Sequence, residues 1–554
     1  MSVRARLLLF AFLLPSFTTL ACAAASSAAA SGAASPAAPA TPSQQIRLPL
    51  PTDVLTYHYN VYRQGMTSQE TILTPSNVNS TSFGKLALFS VDAKVDAQPL
   101  YVNKQDIGGN LNNTLYVVTE GDSIYALNAD SGHQYWHVSA LGQGETTSDD
   151  HGCSQISPQI GITNTPVIDK SVGPNGTMYF VAMTKDSSGH YHQRLHALDL
   201  ATGAEVLGGP VEIQATYPGT GDGSQNGQVI FAPGQFAERA GLLEFGTTIY
   251  IAFTSHCDNR PYTGWVMAYN SRTLAQISVI DVTPNGNEGA IWMDGDGLAA
   301  DSGGNIYFLD GNGTFDTTLN SSGFPINGDY GNAFIKLSNS GGQLTVADYF
   351  NMHNTVQESG ADEDLGSGGL VVLPDIMDNN GGVHHLAVGA GKDSNIYVVN
   401  RDNMGKFNPS NDSAIYQEID GALPGGMWSS PAYFNNTVFF GDVSDNLKAY
   451  TISNAKLSTT PTSQTSNTFP YPGTTPAISA NLTSNGIVWA IANSNPAVLY
   501  AFDATSLSHM LYNSNQAGSR DQFGNGNKFI TPMITNGKVY VGTQNGIAVF
   551  GLLQ

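Results

Sequence analysis

Charge is scarce in this chain, and positive charge is scarcest. Only 12% of the 554 residues are Asp, Glu, Lys or Arg, and the acids outnumber Lys and Arg 44 to 22, for a net charge of −22. Such a surface repels a phosphate backbone, which argues against nucleic acid as a partner. Long apolar runs are also missing. The run from Leu7 to Leu14 is too short to span a bilayer, and no later segment approaches the ~20 apolar residues that a transmembrane helix needs. Cysteine is limited to Cys22, Cys153 and Cys257. No Cys-x-x-Cys-His occurs, so there is no covalent haem and no built-in electron relay. There is no glycine-rich phosphate loop beside a helical pattern and no nucleophile elbow, which leaves nucleotide binding and Ser-His-Asp chemistry without support. The histidines His151, His256, His353, His384 and His385 are scattered; His256 beside Asp258 suits a transition metal, but spacing alone assembles no third ligand.

Glycine is abundant, with 60 residues beside 27 prolines, a profile of many short strands joined by tight turns. Residues 1–25 read as an export signal, with Arg4 and Arg6 before the apolar core and Ala21-Cys22-Ala23 as a cleavage site. Leu20-Ala21-Cys22 also loosely resembles a lipoprotein box, although Thr19 stands where that box prefers Leu. The expected location is therefore periplasmic or secreted, with lipidation at Cys22 as a second reading. Residues 26–50, rich in Ala, Ser and Pro, bury too little apolar surface to fold and read as a tether. In an oxidising compartment Cys153 and Cys257 read as one disulfide or as two buried thiols, and the setting favours the bridge.

Residues 51–554 carry an internal repeat. Short strands end on a polar residue at Ile124–Asn128, Leu195–Asp199, Val266–Asn270, Phe334–Ser338, Ile396–Asn400 and Leu447–Thr451, and the series finishes at Tyr500–Asp503 and Ile547–Gly551. Eight copies at roughly fifty to seventy residues indicate an array of similar supersecondary units. Each copy has an earlier strand, such as Leu115-Tyr-Val-Val118 or Met178-Tyr-Phe-Val181, and Thr-Pro or Ser-Pro often opens a unit, as at Thr165, Ser430, Thr475 and Thr531. Strand-turn-strand units without helices point to an all-β, eight-bladed propeller of four-stranded antiparallel blades. Too few residues follow Phe550 for an outer strand, so Leu86–Val91 is expected to complete the last blade and close the ring. An open solenoid stack is the alternative.

Gly121-Asp-Ser-Ile-Tyr-Ala-Leu-Asn-Ala-Asp-Ser-Gly132, followed by Trp136, and Leu195-His-Ala-Leu-Asp-Leu-Ala-Thr-Gly203 resemble the repeat of the pyrroloquinoline-quinone propellers, the quinoprotein alcohol dehydrogenases. The resemblance covers about residues 90–554. It implies a calcium ion and a quinone on the ring axis, held by loops of several blades. Asn259, five residues before Gly264-Trp265, takes the position of a calcium-binding Glu, with Asp258 adjacent. Asn312, in Gly311-Asn-Gly-Thr, matches a calcium-binding Asn. Asp364, shortly before Gly366 and the strand Leu370–Val372, matches the catalytic base and a further metal ligand, with Asp362 nearby. Lys392, in Gly391-Lys-Asp-Ser, matches the cation that contacts the quinone oxygens. Trp292 lies about where the family has a tryptophan under the quinone, and Gln159 where it often has an Arg. The family's lid of adjacent cysteines is absent; a Cys153–Cys257 bridge would replace that lid or staple two blades.

Two functions follow. The resemblance implies a quinoprotein-like dehydrogenase that oxidises a small alcohol or sugar and passes electrons to a separate acceptor. The same fold also serves cofactor-free scaffolds. The changed Glu, cysteine and tryptophan positions support that alternative, a propeller binding an envelope protein or a polysaccharide.

Overall fold

The computed structural model describes residues 52–554. The expected signal segment, the tether and Cys22 lie outside the described residues. The described residues form eight blades arranged as a ring, each built around antiparallel strands, with three further two-stranded sheets. Blade 1 consists of Leu100–Ile107, Asn110–Val118, Ser123–Asn128 and Gln134–Ser139, ordered from the axis outward. Blades 2 to 7 span 167–212, 243–281, 299–350, 370–419, 432–469 and 477–513. Blade 8 contributes Met533–Thr535, Lys538–Gly542 and Gly546–Leu552. Its outer strand is Phe83–Ser90, paired antiparallel to Gly546–Leu552. This pairing closes the ring as the sequence anticipates and rules out an open stack. Among the described residues, no helix is long and apolar enough to cross a membrane.

The repeat now has a physical explanation. A blade lies between two neighbours, so its inner strands are buried on both faces and read as continuous apolar runs. Ile306–Leu309 is buried at every position, whereas the outer strand Gln134–Ser139 is exposed or half-buried throughout. In several blades the polar residue that ends the third strand folds the following turn. Asn128 Oδ1 accepts from the amides of Asp130 and Ser131, and Asp199 Oδ1 from those of Ala201 and Thr202. The recurring tyrosine of the second strand staples adjacent blades. Tyr116 Oη donates to Leu200 O at 2.9 Å, and Tyr179 Oη donates to Ser271 O at 2.6 Å. Tyr540 Oη donates to Ala129 O at 3.1 Å, the same staple carried across the closure from blade 8 to blade 1.

The sequence pattern did not reveal what pairs with the inner strands around the axis. Residues 54–70 form a strap against the inner strands of every blade. Strap carbonyls accept from the inner-strand amides of Tyr101, Ile168, Ala300, Val372, Tyr433 and Ile478, all at 2.8–2.9 Å. Tyr59 Oη accepts from Ile534 N in blade 8 at 2.8 Å. Blade 3 is reached by Arg63, which is fully buried. Its guanidinium donates to Leu242 O at 3.0 Å, Leu298 O at 2.9 Å, Tyr57 O at 3.0 Å and Thr56 Oγ1 at 2.8 Å. The strap thus satisfies inner-edge backbone groups that would otherwise be left unpaired around the axis.

Replacing Arg63 removes these donors and strands several buried carbonyls. Arg63→Met is expected to lower unfolding stability by about 3 kcal/mol or more. A urea midpoint within error of the wild type would contradict the role assigned to the strap.

Candidate functional site

Two kinds of loop meet at one end of the ring, where the strap's Tyr57 Oη lies 3.2 Å from Ser430 Oγ and 3.1 Å from Thr531 Oγ1. One kind connects successive blades; the other joins the second strand of a blade to its third. Antiparallel pairing brings them together, because the second strand ends where the first begins. They enclose a cavity of about 500 Å³ on the axis.

Most of the residues singled out from sequence line this cavity. Trp292 comes from the connection between blades 3 and 4, and Asp362 and Asp364 from that between blades 4 and 5. Asn312 and Lys392 come from the second-to-third-strand turns of blades 4 and 5. Asp258 also lines it, while its neighbour Asn259 is exposed and does not. Gln159 likewise stays outside, donating to Glu120 O at 2.8 Å, and Gln155 takes a place in the wall. Cys153 and Cys257 are joined by a disulfide that lines the cavity and ties the blade 1–2 connection to blade 3.

The charged corner is built by close backbone approach. The helix Thr355–Ala361 ends on Asp362 in the left-handed conformation, with φ of 61°. The chain then turns at Asp364, whose carbonyl accepts from Lys392 N at 2.9 Å. A Cβ on Gly391 would stand 2.4 Å from Asp364 O, and one on Gly366 2.3 Å from Asp310 C. Only glycine lets these turns meet. Lys392 Nζ then lies 2.6 Å from Asp364 Oδ1 and 2.5 Å from Asp362 Oδ1. Asn312 Nδ2 donates to the same Asp362 oxygen at 2.7 Å. Its own Oδ1 is buried with no partner, as is Asp310 Oδ2 behind it.

Electrostatics follow from this packing. Burial pushes the Asp364 carboxyl above its ordinary range, and the Lys392 ammonium works against that rise. For Lys392, burial disfavours the charge, but Asp364 and Asp362 more than offset it and hold the ammonium above its usual value. Burial, reinforced by His151, drives His256 down to about 3. The two imidazoles stack with centroids 3.9 Å apart, which suits neutral rings and not shared coordination of one metal. Among the described residues, no three His, Cys, Asp or Glu side chains converge as a ligand set.

The remaining walls are aromatic. Trp292 meets Phe529 edge-on at 5.1 Å, and the buried Arg239 lies 6.0 Å from the first ring and 5.8 Å from the second. Trp428 meets Tyr471 edge-on at 5.8 Å, with Lys392 Nζ 5.7 Å from the indole. Sequence reading missed Trp428, Tyr471 and Phe529, yet each stands just ahead of a Ser-Pro or Thr-Pro unit opener, at Ser430, Thr475 and Thr531. The residues before those openers reach the axis, and that signal would have found them.

A hard cation fits one corner in chemical type. The orphaned Asn312 Oδ1 and the Asp364 carboxylate supply oxygen, with Asp258 also lining the cavity. This set is short of six ligands, so a bound cofactor would have to supply others. The rest of the cavity, with the disulfide and flat aromatic walls, suits a planar guest.

Two measurements test this geometry. In Lys392→Met the opposing charge is gone, so the Asp364 carboxyl should titrate at a higher pH than in the wild type. The 13Cγ shift of labelled aspartate reports this, and an equal or lower midpoint contradicts the pairing. The Cys153→Ser/Cys257→Ser double variant, which frees a sequence separation of 104 residues, should lose about 2–4 kcal/mol of stability to urea. No loss would mean that the bridge does not constrain the unfolded chain.

No family model and no curated protein matches the sequence. Solved structures do. The quinohemoprotein alcohol dehydrogenase of Comamonas testosteroni aligns with a TM-score of 0.58 and 14% identity, over 90% of this chain and 80% of that one. Quinohemoprotein alcohol dehydrogenase ADHIIG of Pseudomonas putida HK5 aligns with a TM-score of 0.59 and 12% identity, over 90% and 80%. A europium-containing methanol dehydrogenase aligns with a TM-score of 0.56 and 13% identity, over 91% of this chain and 99% of that one. In fold, this chain is an eight-bladed propeller of the quinoprotein alcohol-dehydrogenase type.

Proposed function

We propose that the protein is an exported, quinoprotein-like dehydrogenase, periplasmic or secreted, that oxidises a small alcohol or sugar with pyrroloquinoline quinone and calcium. One observation carries this reading. Trp292, the Cys153–Cys257 bridge, Asn312, Asp364 and Lys392, drawn from several blades, line a single axial cavity. When bound, the quinone would accept the hydride equivalent and the calcium would polarise its carbonyl.

The protein's own groups have distinct tasks in this reading. Trp292 and the disulfide would hold a planar cofactor between them. Asn312 and Asp364 would hold the cation, with Asp258 as a further oxygen. Lys392 would offer its ammonium to the quinone oxygens while keeping Asp364 ionised. The Asp364 carboxylate, raised by burial, would accept the hydroxyl proton of the substrate, since a base works best when its pKa lies nearer the working pH. Trp428, Tyr471 and Phe529 would exclude water. Electrons would leave to a separate acceptor.

The second reading is a cofactor-free scaffold that binds an envelope protein or a polysaccharide. It draws on Asn259, which does not line the cavity, and on Lys392, whose charge is already taken up by two carboxylates.

Titrating the purified protein with the quinone and Ca2+ separates the two. The dehydrogenase reading expects an absorbance change, a raised thermal midpoint and reduction of a dye with alcohols or sugars. Trp292→Ala should weaken quinone binding about tenfold or more. Asp364→Asn should lower turnover by about a hundredfold or more. No spectral change and no thermal shift would overturn the dehydrogenase and leave the scaffold.

A further inference from the structure

Beside the axial cavity lies a second one, of about 560 Å³, whose lining reverses the charge balance of the protein. It contains Lys94 and Lys528 and no carboxylate, in a chain with a net charge of −22. The two cavities share a wall, where Tyr471 Oη donates to Gln155 Oε1 at 2.9 Å. Lys528 Nζ donates to the same Gln155 oxygen at 3.2 Å and to Ser154 O at 2.9 Å. Among the described residues it pairs with no carboxylate. Lys94 differs, because Asp96 stands 3.2 Å from its ammonium. The cavity therefore offers about one uncompensated positive charge. Burial lowers the Lys528 ammonium and Lys94 adds to that effect, while Asp96 works against it. An anion between the two lysines would relieve the repulsion. The rest of the lining is neutral and amide-rich, with Asn493, Asn495 and Gln544. Asn493 Nδ2 and Gln544 Nε2 donate to Tyr471 O and Gly526 O, and Asn495 Oδ1 accepts from Gly526 N, which leaves Asn493 Oδ1, Asn495 Nδ2 and Gln544 Oε1 to meet hydroxyl groups.

We propose that this second cavity is a recognition site for a sugar carboxylate, with Lys528 binding the carboxylate and the amides binding hydroxyls. A single uncompensated ammonium matches the single charge of a carboxylate. The site goes beyond the dehydrogenase reading and does not depend on it, because binding is measured without quinone. The adjoining position would let an acidic sugar reach across the Gln155–Tyr471 wall into the axial cavity.

Calorimetric titration of the full chain with D-glucuronate, D-glucose and inorganic phosphate tests the proposal. Glucuronate should bind about tenfold more tightly than glucose. Lys528→Gln keeps a donor for Ser154 O but removes the charge; it should abolish that preference without shifting the thermal midpoint. Lys528→Arg should retain it. Lys104→Gln, at an exposed lysine that lines neither cavity, should leave glucuronate binding unchanged. Equal affinity for glucuronate and glucose, an unaltered preference in Lys528→Gln, or loss of binding in Lys104→Gln would overturn the site. Phosphate binding more tightly than glucuronate would overturn the carboxylate assignment.

Discussion

A ring of sheets has an unpaired edge at its centre, and the strap at residues 54–70 is what satisfies it. Each inner strand faces the axis with backbone amides that its own blade leaves free. An unpaired buried amide costs about 1–3 kcal/mol, so leaving several open to a dry channel would strain a fold of ordinary stability. The strap supplies carbonyls to six blades, a tyrosine hydroxyl to blade 8 and the Arg63 guanidinium to blade 3. The chain that follows the strap then supplies, at Phe83–Ser90, the outer strand that closes blade 8. Centre and seam are thus held by one N-terminal segment.

With the strap pairing the inner strands, the loops at one end of the ring are left to form a site. The axial cavity is a consequence of ring geometry: antiparallel strands deliver every inter-blade connection and every second-to-third-strand turn to the same face. Side chains from Cys153 to Phe529 can then share a pocket although hundreds of residues separate them. Its chemistry is polarised. An ion-paired corner of Asp362, Asp364 and Lys392 lies among flat aromatic walls, and a cationic, amide-lined neighbour stands across Gln155 and Tyr471.

How much was legible in the sequence depended on the range of the interaction involved. The eight units showed because each blade solves the same local problem. The polar strand ends proved to be side-chain caps of turns within three residues, as at Asn128 and Asp199. Gly311 and Gly391, beside Asn312 and Lys392, and Gly366, two residues past Asp364, stand where these turns meet backbone to backbone. Resolution failed at single residues. Asp258 lines the cavity and Asn259 does not; Gln155 lines it and Gln159 does not. A loop residue's direction is set by what packs beneath it, and spacing carries no such information.

By itself, then, the sequence determined an all-β ring of eight repeating units and the loops in which its polar chemistry would lie. Those features rest on strand periodicity and turn chemistry within a few residues. Only the tertiary structure decided that the stretch before the first blade becomes the axial strap, that Trp428, Tyr471 and Phe529 wall the cavity, and that Lys392 rests between two carboxylates. Each of these depends on closing loops of tens to hundreds of residues, and the contacts made after closure leave no periodic trace along the chain.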